Sequence, residues 1–339
     1  MKVFLCETVH AKAIELLKSK VEIVSDWTRI GEVDALITRA IKVGPAEMDQ
    51  MPNLKVIAVH GTGTDDVDLA EAKKRGIRVV YAPHLNANAV AELTVGLMLA
   101  VSRKIVEARQ LIDSFSGNDI ADSADNHAEN GTASGEDETD HQNLPDSAKQ
   151  AKAQAVLRGF DLRGKVCGLI GFGAIATRIA DIVRLGFDMD VIAYSPSLTP
   201  ERAAIHGAAC AASVEEVLET ADLVCLCLPL TEASRGMISA ERLAMMKAGA
   251  VLINTARGPL VDEAALYESL KSGKLAGAAC DVHCEGFPKK GNPLLELSNF
   301  VATPHIGANT DDALYAVGMA CAEQIVDVLE GREPKYPVF

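Results

Sequence analysis

The stretch from residue 165 to 186 limits what this chain can fold into more than any other. An apolar run at 165–170 (Lys-Val-Cys-Gly-Leu-Ile) ends at Gly171-Phe-Gly-Ala-Ile-Ala176, and helical spacing then runs over 174–186. A G-x-G-x-x-A match alone is weak, but between a strand and a helix it has a physical reason to exist. Gly171 permits the tight turn, Gly173 lets a pyrophosphate approach the backbone, and small Ala176 lets helix and strand pack closely. Ala174 and Ile175 would stand at the helix N-terminus, where unpaired amides and the helix dipole favour phosphate. A glycine-rich turn that binds nothing is the alternative.

Strands alternate with helices on both sides of that loop. Apolar runs at 2–6, 34–38, 55–59 and 77–81 are interleaved with helical spacing at 11–18 and 69–74. Further runs at 190–194, 223–228, 250–254 and 276–282 precede a helix over 311–330 that Gly331 stops. This alternation predicts an α/β chain built on parallel sheets with helices on their faces, and 339 residues are enough for two such domains. Residues 86–112 read as one extended helix. The pattern collapses at 113–150, where ten acidic residues face one lysine. Such a segment buries too little apolar surface to order itself and reads as a solvated insertion, with a lid or a docking arm as the alternative.

Composition excludes several classes of function. The net charge of −14 argues against a nucleic-acid partner, which requires a basic face. No apolar stretch approaches the ~18–20 residues that cross a bilayer, and the apolar run at 3–6 is too short for a signal-peptide core, so the expected location is the cytoplasm. Eight cysteines could suggest disulfides or a metal. Most lie in or beside strand-like runs without a C-x-x-C pair, which reads as reduced, buried thiols and no metal site.

Three polar positions stand out at strand ends. The strand at 190–194 is where an acidic residue would hold the ribose 2′-hydroxyl of NAD, and Ser195 occupies that place. Arg257, in Asn254-Thr-Ala-Arg-Gly-Pro259, puts a planar fork suited to carboxylates at the C-terminal edge of a sheet. His305, in Thr303-Pro-His-Ile-Gly307, could exchange a proton near neutrality. Taken singly, an arginine or histidine at a strand end is more often structural.

Together with His60-Gly-Thr-Gly-Thr-Asp65, Ala91-Glu-Leu-Thr-Val95 and Asp281-Val282, these motifs resemble the D-isomer-specific 2-hydroxyacid dehydrogenases, whose members include glyoxylate, hydroxypyruvate and phosphoglycerate dehydrogenases. The resemblance covers nearly all of the chain outside the acidic segment. It implies two Rossmann-like, doubly wound domains with a cleft between them. Residues 1–104 plus 308–339 would form a discontinuous substrate domain, and 105–307 the dinucleotide-binding domain. It implies a homodimer that uses NAD or NADP to interconvert a small 2-oxo acid and its D-2-hydroxy acid. Arg257 would bind the carboxylate and polarise the oxo group, His305 would act as acid and base, and a glutamate would raise the histidine's pKa. Members of the family place that glutamate where Gly286 stands, so either Glu285 reaches His305 from one position earlier or the acid is missing. Arg39 and the backbone of Gly61, Thr62 and Gly63 would line the substrate pocket. Gly171, Gly173, Ala174, Ile175, Ser195, Thr255, Ala256, Asp281 and Gly307 would line the cofactor, and His283 would be a surface or loop residue. A nucleotide-sensing corepressor of the same fold is the rival; such a protein would carry a long tail after Phe339. A phosphoglycerate dehydrogenase with its regulatory domain would need a further C-terminal module.

Overall fold

Two separate parallel sheets form from the apolar runs. The protein is described by a computed structural model covering residues 1–116, 145–289 and 291–339. The first sheet holds β1 (Lys2–Leu5), β2 (Glu22–Val24), β3 (Ala35–Thr38), β4 (Val56–Val59) and β5 (Arg78–Val80), in the order β2-β1-β3-β4-β5. Helices α1 (Ala11–Lys18), α2 (Pro45–Asp49) and α3 (Leu69–Lys74) connect its strands. Helices α4 (Ala87–Ser102), α5 (Ile105–Ser116) and α6 (Asp146–Val156) lead to the second sheet. That sheet holds β6 (Val166–Ile170), β7 (Asp190–Tyr194), β8 (Ala208–Cys210), β9 (Leu223–Leu226), β10 (Ala250–Asn254), β11 (Leu275–Cys280) and β12 (Phe300–Ala302). Its order is β12-β11-β10-β9-β6-β7-β8. Helices α7 (Ala174–Phe187), α8 (Pro200–Ile205), α9 (Val214–Thr220), α10 (Ala240–Met245) and α11 (Glu263–Lys271) lie between these strands, and α12 (Asp311–Leu329) follows them.

Every strand pair in both sheets is parallel. β3, β4, β9 and β10 are buried at every residue, which is why they read as continuous apolar runs rather than alternating ones. In each sheet the order reverses beside the first strand. β1 lies between β2 and β3, and β6 between β7 and β9. Loops leaving the strand ends at such a point diverge to opposite faces and open a crevice for a ligand.

The chain crosses between the two units. α12 returns to the first sheet, where Val317, Cys321 and Ile325 pack with Val3, Ala13 and Ala58. α4 goes the other way. Sequence places it with residues 1–104 in the first unit, yet Val95, Met98 and Val101 bury against Leu169, Ile179 and Val251 of the second. The single helix expected over 86–112 is also broken. Lys104 takes a left-handed φ of 52°, and the Ser102 carbonyl accepts the Phe160 amide at 3.0 Å instead of continuing the helix. Gly159 makes room for that return, since a Cβ there would lie 2.1 Å from the Ser102 oxygen. The acidic segment is corrected at its ends. Residues 113–116 continue α5, where Arg109 pairs with Asp113 at 2.8 Å, and 146–150 begin α6 after Pro145. Its remainder, 117–144, lies outside the described residues. Among the described residues no helix is long and apolar enough to cross a membrane.

Met98 is fully buried in the second unit's core. Met98→Ala is expected to cost about 2–5 kcal/mol in urea unfolding, the usual range for emptying such a site. A cost below about 1 kcal/mol would show that α4 does not pack there.

Candidate active site

The glycine loop sits at the reversal point of the second sheet. Gly171 has φ 95°, and a Cβ on it would lie 2.3 Å from the Cys227 carbonyl oxygen, so glycine is required twice over. Gly173 differs, because a Cβ there would meet open space. That opening leads into a cavity of about 720 Å³ lined by Gly171, Gly173, Ser195, Ser197, Arg202 and the Glu215–Arg242 pair. Ala174 and Ile175 open α7 directly behind Gly173, and Ala176 is fully buried against the sheet. Space, free backbone and a helix N-terminus fit the phosphates of a dinucleotide. Ser195 is half-buried at the end of β7 and no carboxylate stands at that end. Glu215 pairs with Arg242 at 2.6 Å. Arg202 gives an N–H to the Phe172 carbonyl at 3.3 Å.

A second cavity, of about 790 Å³, meets the first at Thr231 and brings Arg257 and His305 together. Arg257 follows β10, where Asn254 accepts the Ala256 amide at 3.1 Å and donates to the Arg257 carbonyl at 2.9 Å. Thr255 is tied to Thr94 of α4 by hydroxyls 2.8 Å apart. His305 stands on a loop shaped by Asp281. This buried carboxylate accepts the Thr303 hydroxyl at 2.6 Å and the amides of Ile306 and Gly307 at 2.8 Å each. The His305 amide bonds the Asp281 carbonyl at 2.9 Å, and His305 itself has φ 57°. A histidine held left-handed costs on the order of 1–3 kcal/mol, which the Asp281 bonds offset.

The first unit supplies the facing wall. Arg39 follows β3, and its amide donates to the Glu7 carboxylate after β1. The Gly61 amide, expected to hold a substrate, is taken by the Val59 carbonyl at 2.8 Å. Among the described residues no hydrogen bond engages the amides of Thr62 and Gly63, and the Thr62 hydroxyl donates to Asn86 at 3.1 Å. Gly63 lies directly under Arg257; a Cβ on it would sit 1.8 Å from Nη2. Asp65 then grips Arg257 across the cleft, its two oxygens accepting from Nε and Nη2 at 2.9 Å each. His60 is buried with Nε2 unpartnered, and burial together with the Arg39 charge pushes its imidazole down to about 4.

The expected glutamate is not on His305. Glu285 lines the same cavity but is two-thirds exposed and pairs with Lys289 at 2.7 Å. Solvent reaches His305, but crowding by protein and then the Arg257 charge push its imidazole below the usual histidine range, against the opposing pull of Asp281 and Asp65. The raised pKa expected from a glutamate partner is therefore replaced by a lowered one. His283 is a loop residue, as expected, but a buried one that contacts the Thr303 carbonyl at 3.3 Å. Asp65 and Thr94 both lie in motifs that the sequence singles out, but their spacing assigns neither of them a role. An acid placed just after a glycine loop at a sheet edge was the available signal.

The reversal-point glycine loop and a second parallel unit closing a polar cleft over it define a two-unit Rossmann-type protein. Comparison with known proteins gives the family. The profile of the "D-isomer specific 2-hydroxyacid dehydrogenase, NAD binding domain" matches residues 137–307. The chain is 36% identical to a D-3-phosphoglycerate dehydrogenase of Methanocaldococcus jannaschii, over 98% of this chain and 58% of that protein, so it spans little more than half of that relative's length. It is 35% identical to a hydroxypyruvate reductase of Thermotoga maritima, over 96% of this chain and 97% of that one. The solved structure of the TT0316 protein from Thermus thermophilus superposes with TM-score 0.80 at 33% identity, each chain covered in full. The chain belongs to the D-isomer specific 2-hydroxyacid dehydrogenase family.

The two glycines of the loop are expected to separate stability from binding. Gly171→Ala should destabilise the fold by at least about 1–3 kcal/mol, the cost of a left-handed residue before the clash is counted. Gly173→Ala should leave the thermal midpoint nearly unchanged and weaken NADH binding, read by cofactor fluorescence. Equal stability losses in both variants would contradict the open cradle at Gly173.

Proposed function

We propose that the protein reduces a small 2-oxo acid to its D-2-hydroxy acid with NADH or NADPH, and runs the reverse oxidation. The observation that carries this reading is the placement of Arg257 and His305 in one cavity that meets the glycine-loop cavity. A binding protein that only senses a nucleotide has no need of a proton donor beside a carboxylate anchor. In this reading the seven-stranded unit holds the cofactor, with Gly171, Gly173, Ala174 and Ile175 at its phosphates, Ser195 at a ribose, and Thr255, Ala256, Asp281 and Gly307 around the nicotinamide end. The five-stranded unit closes over the substrate with Arg39 and the amides of Thr62 and Gly63.

The cofactor, when bound, supplies the hydride. Arg257 takes the substrate carboxylate and polarises the 2-oxo oxygen, because a planar fork holds two oxygens at once. His305, protonated, gives its proton to that oxygen, and in the oxidation the neutral imidazole takes it back from the hydroxyl. Glyoxylate and hydroxypyruvate are the substrates to try first, and the names of the relatives support both. Exposed Ile105, Ile112 and Leu185 on the seven-stranded unit support a homodimer through that unit.

Removal of His305 should lower kcat by roughly 10²–10⁴-fold, the range for losing a general acid or base. Arg257→Lys should be severe as well. Near-normal kcat in His305→Ala would overturn the mechanism. The pH dependence follows from the sign of the shift. Reduction needs the imidazolium, and the imidazole is held below histidine's ordinary 6.5. The reduction kcat/KM should therefore fall with rising pH through a midpoint under that value. A midpoint above it would contradict the electrostatics described.

Cofactor choice follows from Ser195. A carboxylate there would repel the 2′-phosphate of NADP, and the hydroxyl does not. NAD and NADP are expected to differ by less than about a hundredfold in kcat/KM, under ~3 kcal/mol. Ser195→Asp should move the preference clearly toward NAD. A thousandfold preference for NAD in the wild type would show that another residue reads the ribose.

A further inference from the structure

We propose that Asp65 is a positioning residue: it fixes the Arg257 guanidinium from across the cleft, leaving one N–H on Nη1 and one on Nη2 for the substrate. The inference rests on the reading of Arg257 and His305 given above. A guanidinium carries five N–H groups. Nε and Nη2 each give one to Asp65 at 2.9 Å, and Nη1 gives one to the Ala256 carbonyl at 2.8 Å. Two adjacent donors remain in the cavity that His305 also lines. A 2-oxo acid presents two adjacent acceptors, a carboxylate oxygen and the oxo oxygen, so the count and the chemistry agree.

The clasp also joins the two units. Asp65 belongs to the loop after β4 of the five-stranded sheet, and Arg257 follows β10 of the seven-stranded one. Two of the three hydrogen bonds that fix the guanidinium come from across the cleft, so the full anchor needs both walls in place. Gly63 serves the same contact, since any side chain there would occupy the place of Nη2.

Asp65 acts on His305 as well. The charged groups facing that imidazole are Arg257 and Asp281 from its own unit and Arg39 and Asp65 from the other. Asp281 spends both oxygens on Thr303, Ile306 and Gly307. Asp65 keeps its charge despite its crowded setting because the Arg257 pair holds its carboxyl below the usual range. After Asp281, it is the second negative charge that favours the imidazolium.

The test compares wild type with Asp65→Asn and Asp65→Glu in the reduction of glyoxylate and of hydroxypyruvate by NADPH and by NADH. Thermal unfolding and NADPH fluorescence report fold and cofactor binding. Misplacing the anchor by an ångström should lower kcat of the Asn variant roughly 10–100-fold, with NADPH binding held. The falling limb of its kcat/KM profile should move to lower pH, because a negative charge that favoured the imidazolium is gone. The Glu variant keeps that charge and should return the limb toward its wild-type position. Should the Asn variant not fold, Asp65→Ser reads the same two quantities. A neutral variant with kcat within about twofold of wild type overturns the proposal. So does a kcat loss with the limb unmoved, which marks a merely structural contact, and so does a fall in KM with kcat kept, which marks Asp65 as a competitor of the substrate. Wild type that turns over neither acid sinks the reading of the site, and the positioning role with it.

Discussion

The buried carboxylate of Asp281 organises the part of this molecule on which its chemistry rests. A charge removed from water is tolerable only when its lone pairs are taken up. Here the Thr303 hydroxyl and the amides of Ile306 and Gly307 take them up, while the backbone of Asp281 holds the His305 amide. These bonds span β11 and the segment after β12, and they force His305 into a conformation that a side-chain-bearing residue seldom adopts. Gly307 fits because a Cβ there would lie 3.0 Å from the same carboxylate. The imidazole is thereby held at the edge of the seven-stranded sheet, in one cavity with Arg257.

Electrostatics then explain why the site waits for an anion. Arg257 and Arg39 both disfavour the protonated form of His305, and Arg39 and burial together keep His60 neutral. Asp65 answers part of that positive charge. Its neighbour Asp66 is pushed upward by burial and by Asp65 itself, so a second full negative charge is disfavoured there. A carboxylate entering the cleft would supply what is missing. Its arrival would favour the imidazolium that reduction requires, which ties substrate binding to the protonation state of the acid.

Much of this was legible in the sequence, for local reasons. The strands buried on both faces announce themselves as apolar runs, and the strand–glycine–helix unit carries its own steric logic at Gly171. Arg257 and His305 stand at strand ends, where open α/β sheets bind ligands. What was missed is non-local. Lys104 breaks the long helix without any glycine or proline signal, because Gly159 and Phe160, more than fifty residues away, dock on its end. α4 reads as a continuation of the first unit, and only its apolar partners show that it belongs to the second sheet. The strands β2 and β8, three residues each, are too short to display a pattern. Glu285 pairs with Lys289 rather than with His305, on a loop that turns at Gly286 with φ 81°. Asp65 finds Arg257 at a separation of 192 residues, which no spacing rule reaches.

One cleft, with a carboxylate anchor and a proton donor set beside the proposed cofactor site, would fix a single face of a 2-oxo acid. The stereochemistry of the product reports on that geometry directly. The test offers hydroxypyruvate and NADH or NADPH to the wild-type protein and resolves any glycerate formed by enantioselective chromatography. Consumption of cofactor matched by D-glycerate alone is the expected result. A racemic or L product, or cofactor left unconsumed with every small 2-oxo acid offered, would contradict it.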